Sequence, residues 1–331
     1  MIAVLGAGAW GTTIAKVVAD AGHAVTLWGR DAAVVAEVNE QHTNLAYVPD
    51  LALPELVGAS TDRNGTAAAA STLIVALPSQ VARQTLTGLA PHVAGDASVV
   101  SLMKGIELDS DLRMSQVLSE VLEVGPERIV VLSGPNLSRE IAAGQPAASV
   151  LACTDIERSR DVSSLVATSY FRPYVTDDVV GVELAGAVKN VIALAVGMAA
   201  GRGYGDNTKA TIITRGLAEI TRLALALGGQ IQTMAGLAGL GDLVATCASE
   251  LSRNHRLGRH IGQGLSLEEA LVATGGTAEG AKSCRSVAHL AGSLGVDMPI
   301  TRAVVAVLYQ GLTVDEMTRQ LLARPRKDER D

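Results

Sequence analysis

A glycine-rich turn near the amino terminus, in the stretch VLGAGAWGTTIA, constrains the fold more than any other feature. Gly6, Gly8 and Gly11 form the pattern G-x-G-x-x-G, directly after the apolar stretch IAVLG and at the start of a stretch with helical spacing. In such a strand-to-helix turn, the first glycine makes a tight turn, the second lets a pyrophosphate approach the backbone, and the third lets the helix pack on the strand. The phosphates then lie at the amino terminus of the helix. This context favours a dinucleotide-binding fold over an ordinary glycine-rich turn.

The order of apolar and amphipathic stretches predicts two domains. The first half alternates strands with helices, which is typical of a doubly wound parallel sheet, whereas after about Val179 the sequence is helical with glycine-rich joints. We therefore predict an α/β protein: a Rossmann-type dinucleotide-binding domain over 1–178 and an all-α substrate and catalytic domain over 179–323. The charged tail 324–331 is expected to be disordered. The predicted strands are 2–6, 24–28, 72–77, 98–103, 129–134, 148–153 and 170–175.

Composition narrows the possible functions. The 331 residues carry a net charge of −7 and only 2% aromatic residues, which disfavours a general nucleic-acid or membrane binder. Cys153, Cys247 and Cys284 are widely spaced without metal-binding spacing, so we expect no metal and a reducing, cytoplasmic location. The amino terminus lacks the basic segment of a signal peptide. No uncharged apolar run reaches the ~18 residues that a membrane span needs.

The end of the second predicted strand, LWGRD, bears on which nicotinamide cofactor is used. An NAD-selective site normally carries an acidic residue there for the ribose 2′-hydroxyl, but here Gly29 and Arg30 come first. An arginine can bind the 2′-phosphate of NADPH. Asp31 follows at the start of a helical stretch, where capping the helix is its more natural role. The sequence therefore favours NADPH, with NADH as the alternative.

Polar residues also follow three other predicted strands. In open α/β sheets, ligands bind outside the carboxyl ends of the strands. Lys104 follows one strand in LMKGIE, and Gly134, Asn136 and Ser138 follow the next in LSGPNLSRE. Position alone also allows Lys104 to be a solvated turn residue. The turn ALPSQ, which contains Ser79, lies at the end of a further strand.

The apolar stretch GVELAGAVKNVIALAVGMAA contains a lysine, Lys189. A charged side chain in such a stretch is costly to bury, so it requires a polar partner or a functional role. Reduction of a ketone by hydride leaves an alkoxide, which needs a proton donor, and the reverse reaction needs a base. Burial in apolar surroundings favours the neutral amine of a lysine, which can then accept a proton near neutral pH. Lys189 is therefore a candidate acid/base. The alternative is a structural lysine that extends to water at the boundary between the domains.

A second polar cluster lies in GLGDLVATCASELSRNHRLGRH. Asp242 and Thr246 are one helical turn apart, and Arg253 with Ser252 and Asn254 forms a candidate anion pocket, because a guanidinium binds phosphate through two hydrogen bonds. Asp242 could orient a buried lysine or simply cap the following helix. The remaining cations are interpreted as a solvated face: His255, Arg256, Arg259 and His260.

These motifs, in their order and spacing over about residues 2 to 320, resemble the bacterial glycerol-3-phosphate dehydrogenases of the NAD(P)+ type. The resemblance rests on GAGAWGTTIA, LWGRD, MKGIE, SGPN, VELAGAVKNVIALAVGMAAG, TRGLAEI, GLAGLGDLVATC, SRNHRLG and TAEG. It implies reversible hydride transfer between NAD(P)H and dihydroxyacetone phosphate, which gives sn-glycerol 3-phosphate for phospholipid synthesis. It also implies a cytoplasmic enzyme, expected to be a homodimer.

The resemblance further implies a role for each site residue. Lys189 is then the catalytic acid/base, supported by Lys104 and Asp242. The implied substrate-binding residues are Lys104, Gly134, Asn136, Lys189, Asn190, Asp242, Thr246, Ser252, Arg253 and Asn254. The implied cofactor-binding residues are Gly6, Gly8, Ala9, Trp10, Gly11, Arg30, Lys104, Ser138, Arg253 and Glu279.

Two other hypotheses remain open. A ketopantoate or 3-hydroxyacid reductase of the same architecture would keep the glycine-rich turn and an interior lysine, but would not need the phosphate pocket around Arg253. A non-catalytic NADPH-binding regulator would keep the turn and lose the acid/base, whereas Lys104, Lys189 and Asp242 are all present here.

Overall fold

The computed structural model describes residues 1–49, 51–275 and 278–325. Its first half is built on one eight-stranded sheet with the strand order β3-β2-β1-β4-β5-β6-β7-β8. Helices cover both faces, so the Rossmann-type doubly wound α/β fold is confirmed. The strands are β1 (Ile2–Leu5), β2 (Val25–Trp28), β3 (Val57–Ser60), β4 (Thr72–Val75), β5 (Ser98–Ser101), β6 (Ile129–Ser133), β7 (Ala147–Ala152) and β8 (Phe171–Thr176).

The sheet is buried on both faces because alternate residues of its strands enter two separate cores. Ile2 and Val4 of β1 pack in one core, and Ala3 and Leu5 pack in the other. Strands buried on both faces are continuous apolar runs, which is why their sequences are recognisable. The covering helices are α1 (Ala9–Asp20), α2 (Ala32–Gln41), α3 (Arg63–Ala68), α4 (Ser79–Leu86), α5 (Met114–Leu122), α6 (Ser138–Ala142) and α7 (Ile156–Val166).

Two features of the sheet differ from the sequence prediction. Strand β3 was not predicted, because its sequence VGAS has weak strand propensity and only Val57 is fully buried. It forms at the edge of the sheet by pairing with β2. Strand β7 runs antiparallel to β6, so the sheet is not purely parallel. The five-residue helix α6 between them is about 7.5 Å long, too short to return the chain to the start of β6.

The second half of the chain consists of helices around a separate core. Residues 179–275 and 278–325 contain no strand, as predicted. The helices are α8 (Val179–Gly201), α9 (Asp206–Ala226), α10 (Ile231–Ala235), α11 (Asp242–Ala248), α12 (Arg253–Gly262), α13 (Leu267–Thr274), α14 (Glu279–Ser293), α15 (Pro299–Tyr309) and α16 (Val314–Leu322).

Helix α8 is the centre of this helical half. It is apolar on all sides and long enough to cross a membrane, but 94% of its most apolar stretch is buried inside the protein. Asp178 caps its first turn by accepting a hydrogen bond from the Gly181 backbone at 2.8 Å. The predicted domain boundary at 178 falls at this cap, between β8 and α8, and remains a proposal. Arg324 forms an ion pair with Asp297, while tail residues 326–331 lie outside the described residues.

Glycines allow α8 and α12 to cross with their backbones in contact. A Cβ atom on Gly197 would lie 2.1 Å from the carbonyl oxygen of His255, and one on Gly258 would lie 2.1 Å from that of Leu194. Gly201 and Gly262 make equally close approaches one turn further along. The crossing therefore brings the start of α12 beside the middle of α8, where Lys189 lies.

We expect Gly258→Ala to destabilise the protein by about 1–3 kcal/mol, because the added methyl meets backbone that cannot move aside. Gly292→Ala in α14 is the matched control, since nothing lies within 4 Å of its Cβ position. Alanine there gains helix propensity of up to ~1 kcal/mol. Unfolding midpoints measure both variants. Equal midpoints for the two would contradict the backbone contact.

Candidate active site

The glycine-rich turn has the geometry that its sequence predicts. Gly6 has a φ of +121°, and its added Cβ would lie 2.6 Å from the carbonyl oxygen of Ala76. A Cβ on Gly11 would lie 1.9 Å from the carbonyl oxygen of Gly6, so this glycine allows α1 to pack on β1. Nothing lies within 4 Å of the Cβ position of Gly8. The turn is closed on its inner side and open at Gly8, where a pyrophosphate can approach.

The start of α1 leaves hydrogen-bond donors available beside this open position. Gly8 caps the helix without a side-chain acceptor, so the first backbone N–H groups, from Ala9 and Trp10 onward, have no side-chain partner. Trp10 Nε1 is also buried with no partner among the described residues. Thr13 donates to the Ser138 carbonyl oxygen at 3.3 Å and so holds α6 against α1. The backbone N–H groups at this helix start fit the phosphates of a dinucleotide.

Arg30 and Glu279 line one cavity of about 170 Å³ at the carboxyl end of the sheet. Arg30 is exposed and lies two residues after the end of β2. Asp31 caps α2 by accepting a hydrogen bond from the Ala33 backbone at 2.9 Å, which confirms its capping role. Of these two charged residues after β2, Arg30 is therefore the one that lines the cavity, whereas Asp31 caps a helix.

The Glu279 carboxylate joins the helical half to the sheet. It accepts hydrogen bonds from the Ser79 backbone N–H at 3.3 Å and from the Ser79 hydroxyl. Burial raises the pKa of the Glu279 carboxyl, against the hydrogen bonds from Ser79 and the positive charges of Arg253 and Lys282. Ser79 was recognised in the sequence only as a residue at a strand end. Its partner is 200 residues away, so no local pattern could have identified the contact.

Two lysines share one buried carboxylate. Lys104, just after β5, donates to Asp242 Oδ2 at 2.7 Å and to the Gly134 carbonyl oxygen at 2.9 Å. Lys189 in α8 forms an ion pair with Asp242 Oδ1 and donates to Thr246 Oγ1 at 2.6 Å. The Asp242 side chain is only 1% exposed. The structure thus brings these five predicted residues into one cluster.

The charges of this cluster do not cancel. Burial lowers the pKa of the Lys104 ammonium to about 8; the charge of Lys189 acts in the same direction, and the ion pair with Asp242 opposes both. Asp242 does not cap α11, because Gly241 precedes the helix and both Asp242 oxygens bind lysines. With both lysines protonated, the cluster carries one net positive charge, which suits an anionic or electron-rich ligand.

A chain of side-chain amides runs beside the lysines. Asn190 donates to the Lys104 carbonyl oxygen at 3.2 Å, and Asn254 donates to Asn190 Oδ1 at 3.0 Å. The Gly280 backbone N–H donates to Asn254 Oδ1 at 3.0 Å. The chain therefore connects the end of β5 with α8, α12 and α14.

The start of α12 presents Arg253 to solvent beside this amide chain. Ser252 caps the helix by accepting a hydrogen bond from the His255 backbone at 3.2 Å. Arg253 is exposed and makes no hydrogen bond or ion pair with the residues that the structure describes. Its guanidinium is therefore available for a ligand, whereas the Ser252 hydroxyl oxygen is already used in capping.

One part of the predicted solvated face is wrong. His255 is buried, with 5% of its surface exposed, because the close crossing with α8 covers this side of α12. Arg256 is half-buried and donates to the Glu250 backbone, whereas Arg259 is exposed and donates to the Glu250 side chain, each at 3.1 Å. His260 is half-buried.

Asn136 lies in the loop after β6 and is oriented by the antiparallel strand β7. Its amide donates to Ser149 Oγ at 3.1 Å, and that hydroxyl donates to the Ser133 carbonyl oxygen at 2.8 Å. Asn136 Oδ1 is buried with no partner among the described residues. It has no hydrogen bond to the lysine cluster, although Gly134 in the same loop does.

Comparisons with known proteins agree with this arrangement. A family model described as the amino-terminal part of NAD-dependent glycerol-3-phosphate dehydrogenase matches residues 1–159, and one described as the carboxy-terminal part matches residues 178–319. The chain belongs to the NAD-dependent glycerol-3-phosphate dehydrogenase family. Membership of this dehydrogenase family makes the chain an oxidoreductase that uses a nicotinamide cofactor.

Similar proteins cover nearly the whole chain. The glycerol-3-phosphate dehydrogenase [NAD(P)+] of Corynebacterium urealyticum is 54% identical over 99% of both chains. The crystal structure of the glycerol-3-phosphate dehydrogenase of Coxiella burnetii has a TM-score of 0.92 and 36% identity, and covers 98% of both chains. A ketopantoate reductase from Ralstonia eutropha has a TM-score of 0.61 at 17% identity, which shows a shared fold alone.

We expect Asp242→Asn to lower the free energy of unfolding by about 3–5 kcal/mol in this family member, because it leaves two enclosed ammonium groups without a counter-charge. Glu120→Gln is the matched control, since it removes a half-exposed carboxylate that pairs with Arg83. That pair contributes about 1 kcal/mol or less. Denaturant unfolding at neutral pH measures both, and a similar small loss for Asp242→Asn would show that the carboxylate is not needed to bury the lysines.

Proposed function

We propose that this chain catalyses the reversible reduction of dihydroxyacetone phosphate to sn-glycerol 3-phosphate, with NADPH as the preferred cofactor. The observation that carries the proposal is the buried Lys189–Asp242–Thr246 arrangement beside Arg253, which has no ion pair among the described residues. A hydrogen bond between Asn190 and Asn254, which follow Lys189 and Arg253 in the sequence, joins the two helices. A proton donor and an anion-binding side chain are thereby held on one frame. The substrate requires both groups, since it has a ketone and a phosphate.

Lys189 is the proposed acid/base. When bound, the nicotinamide supplies or accepts the hydride at the carbonyl carbon. Lys189 Nζ donates a proton to the developing alkoxide, and in the reverse direction it accepts the proton of the substrate hydroxyl. Asp242 and Thr246 hold Nζ in place. The Lys189 side chain therefore does not have to change its rotamer before it transfers the proton.

Lys104 and Arg253 are proposed to bind the substrate. Lys104 Nζ is held by Asp242 and Gly134 next to Lys189, and its charge stabilises the negative oxygen that forms during reduction. Arg253 has no ion pair among the described residues, and Asn254 follows it at the first turn of α12. A guanidinium at a helix amino terminus is well suited to a phosphate.

The preference for NADPH is proposed from Arg30. The residue faces the cavity at the end of β2, where the ribose of a dinucleotide lies in this fold. Asp31, the acidic residue that would favour a free 2′-hydroxyl, is occupied in capping α2. A guanidinium there binds a 2′-phosphate through charge-assisted hydrogen bonds.

The cellular setting is part of the same proposal. The product carries the three-carbon phosphorylated backbone of glycerophospholipids, so the enzyme would supply their synthesis. All three cysteines are free and buried, in keeping with a reducing cytoplasm. A homodimer is the expected assembly.

We expect Lys189→Met to lower turnover by at least about 10²–10⁴-fold while NADPH binding stays nearly unchanged, because the variant loses the proton donor and leaves the glycine-rich turn intact. Lys209→Met is the matched control, since this lysine on α9 pairs with the exposed Asp206. The rate of NADPH oxidation measures turnover, and a fluorescence titration with NADPH measures cofactor binding. Near wild-type turnover in Lys189→Met would remove the residue from the acid/base role.

The phosphate contact is tested by comparing dihydroxyacetone phosphate with dihydroxyacetone. We expect the wild type to strongly prefer the phosphorylated ketone in kcat/KM, and Arg253→Ala to erase most of that preference, since binding energy at the phosphate also positions the ketone. Arg256→Ala is the matched control, because it removes an arginine that lies about one helical turn further along α12. Added phosphite should partly restore activity toward dihydroxyacetone in the wild type, and much less in Arg253→Ala.

Equal treatment of both ketones by the wild type would instead favour a ketopantoate or 3-hydroxyacid reductase of the same architecture. Tight NADPH binding without turnover of any ketone would favour the non-catalytic regulator. The same assays therefore separate all three hypotheses.

A further inference from the structure

Two positive side chains from distant parts of the sequence line the cavity at the carboxyl end of the sheet. Arg30 enters it from the end of β2, and Lys282 enters it from α14 in the helical half. Both residues are exposed, and neither forms an ion pair within the part of the chain that the structure describes. Two cations that face one cavity repel each other unless an anion lies between them.

The position of Lys282 is fixed by the contact that anchors α14. Glu279, the first residue of α14, is tied to Ser79 at the start of α4. Lys282 comes three residues later, which places it on the same side of the helix as Glu279. The lysine is also close enough to Glu279 for its charge to act on that carboxylate. The start of α14 therefore places Lys282 at the edge of the cavity.

The negative charge of Glu279 does not satisfy the two cations of the cavity. Both of its oxygens accept hydrogen bonds from Ser79, so they are directed toward the start of α4. The wall between the cations includes Leu77, Pro78 and Val81, which offers an apolar surface against which a purine ring can pack. The cavity thus combines an apolar wall with two positive groups.

A nucleoside with a phosphate on its ribose matches this combination. In a doubly wound sheet the adenosine ribose lies at the end of β2, beside Arg30. A phosphate on its 2′-oxygen is a compact dianion, which a guanidinium binds through paired hydrogen bonds and an ammonium binds as a point charge. A ribose with a free 2′-hydroxyl would leave both cations without a partner.

We propose that Lys282 is a second cofactor-selectivity residue, which binds the 2′-phosphate of NADPH from the side opposite to Arg30. The proposal rests on the proposed use of NADPH and deepens it. It assigns part of the selectivity to the helical half of the chain, which contributes no residue to the glycine-rich turn.

The test measures binding of two fragments to the full chain by titration calorimetry: adenosine 2′,5′-bisphosphate and adenosine 5′-monophosphate. We expect Lys282→Met to weaken the bisphosphate by about three- to tenfold, a modest effect because the lysine is exposed and partly screened. Binding of the monophosphate should not change. Lys282→Arg should keep most of the difference, and high salt should reduce the effect of Lys282→Met.

Arg285→Met is the matched control, since it removes one positive charge from the same helix. Arg285 lies over the Tyr309 ring, 5.6 Å from its centre, and does not line the cavity. The control should leave both fragments unaffected. KM values for NADPH and NADH provide a second readout, in which Lys282→Met should raise only the KM for NADPH.

The possible outcomes separate this inference from the proposed function. If the wild type prefers the bisphosphate and Lys282→Met keeps that preference, or weakens both fragments equally, the assignment of Lys282 is wrong. If the wild type does not prefer the bisphosphate, the proposed NADPH preference is wrong as well. If dihydroxyacetone phosphate is not reduced but the expected binding pattern is found, the substrate proposal fails and the role of Lys282 stands.

Discussion

The site depends on one carboxylate that two lysines share. Asp242 is almost fully buried, and it is the only group whose negative charge directly contacts both Lys104 and Lys189 among the described residues. Taking one ammonium out of water is costly, and taking two into the same region is more so unless a counter-charge lies between them. The carboxylate makes this possible by binding one lysine with each oxygen. The remaining positive charge is then available for chemistry.

The residues of this cluster come from three separate parts of the fold. Lys104 follows a strand of the sheet, Lys189 lies in the middle of the buried helix α8, and Asp242 begins α11 after a π-helical turn. The cluster forms only when the sheet and the helical half are packed together. Glu279 and Ser79 add a second contact of the same kind on the cofactor side. The site is therefore complete only where the two halves of the chain are packed together.

Much of the fold was predictable because local patterns determine it. The G-x-G-x-x-G turn determines its own geometry, since Gly6 needs a positive φ and Gly11 has no room for a Cβ. Buried parallel strands are apolar runs, so all but one were recognised. Strand β3 was missed because VGAS forms a strand only by pairing with its neighbour at the edge. The direction of β7 was missed because it depends on the length of α6 and not on the strand's own sequence.

The candidate site residues that the sequence could indicate are those whose chemical type differs from that of their neighbours. Lys189 is conspicuous in an apolar helix, and Arg253 stands beside polar neighbours at a helix start. Ser79 gave no such signal because its partner Glu279 is 200 residues away. Lys282 gave none because the cavity that it lines is formed by segments distant in sequence. The burial of His255 was likewise invisible, since a charged segment around it suggests solvent. Contacts between residues that are distant in sequence cannot be predicted from a short stretch, whereas local spacing can be read from it.

The glycine contact between α8 and α12 has a consequence for substrate length. Because backbone touches backbone where Gly197 meets His255 and where Gly258 meets Leu194, no side chain separates the two helices at those positions. The backbones of α8 and α12, which carry Lys189 and Arg253, are thus held at a separation set by the polypeptide chain itself at these contacts. In the proposed function, a substrate spans the distance between these two helices from its carbonyl oxygen to its phosphate. Under that proposal, the close crossing of the two helices limits the number of bonds between the carbonyl and the phosphate of a ligand.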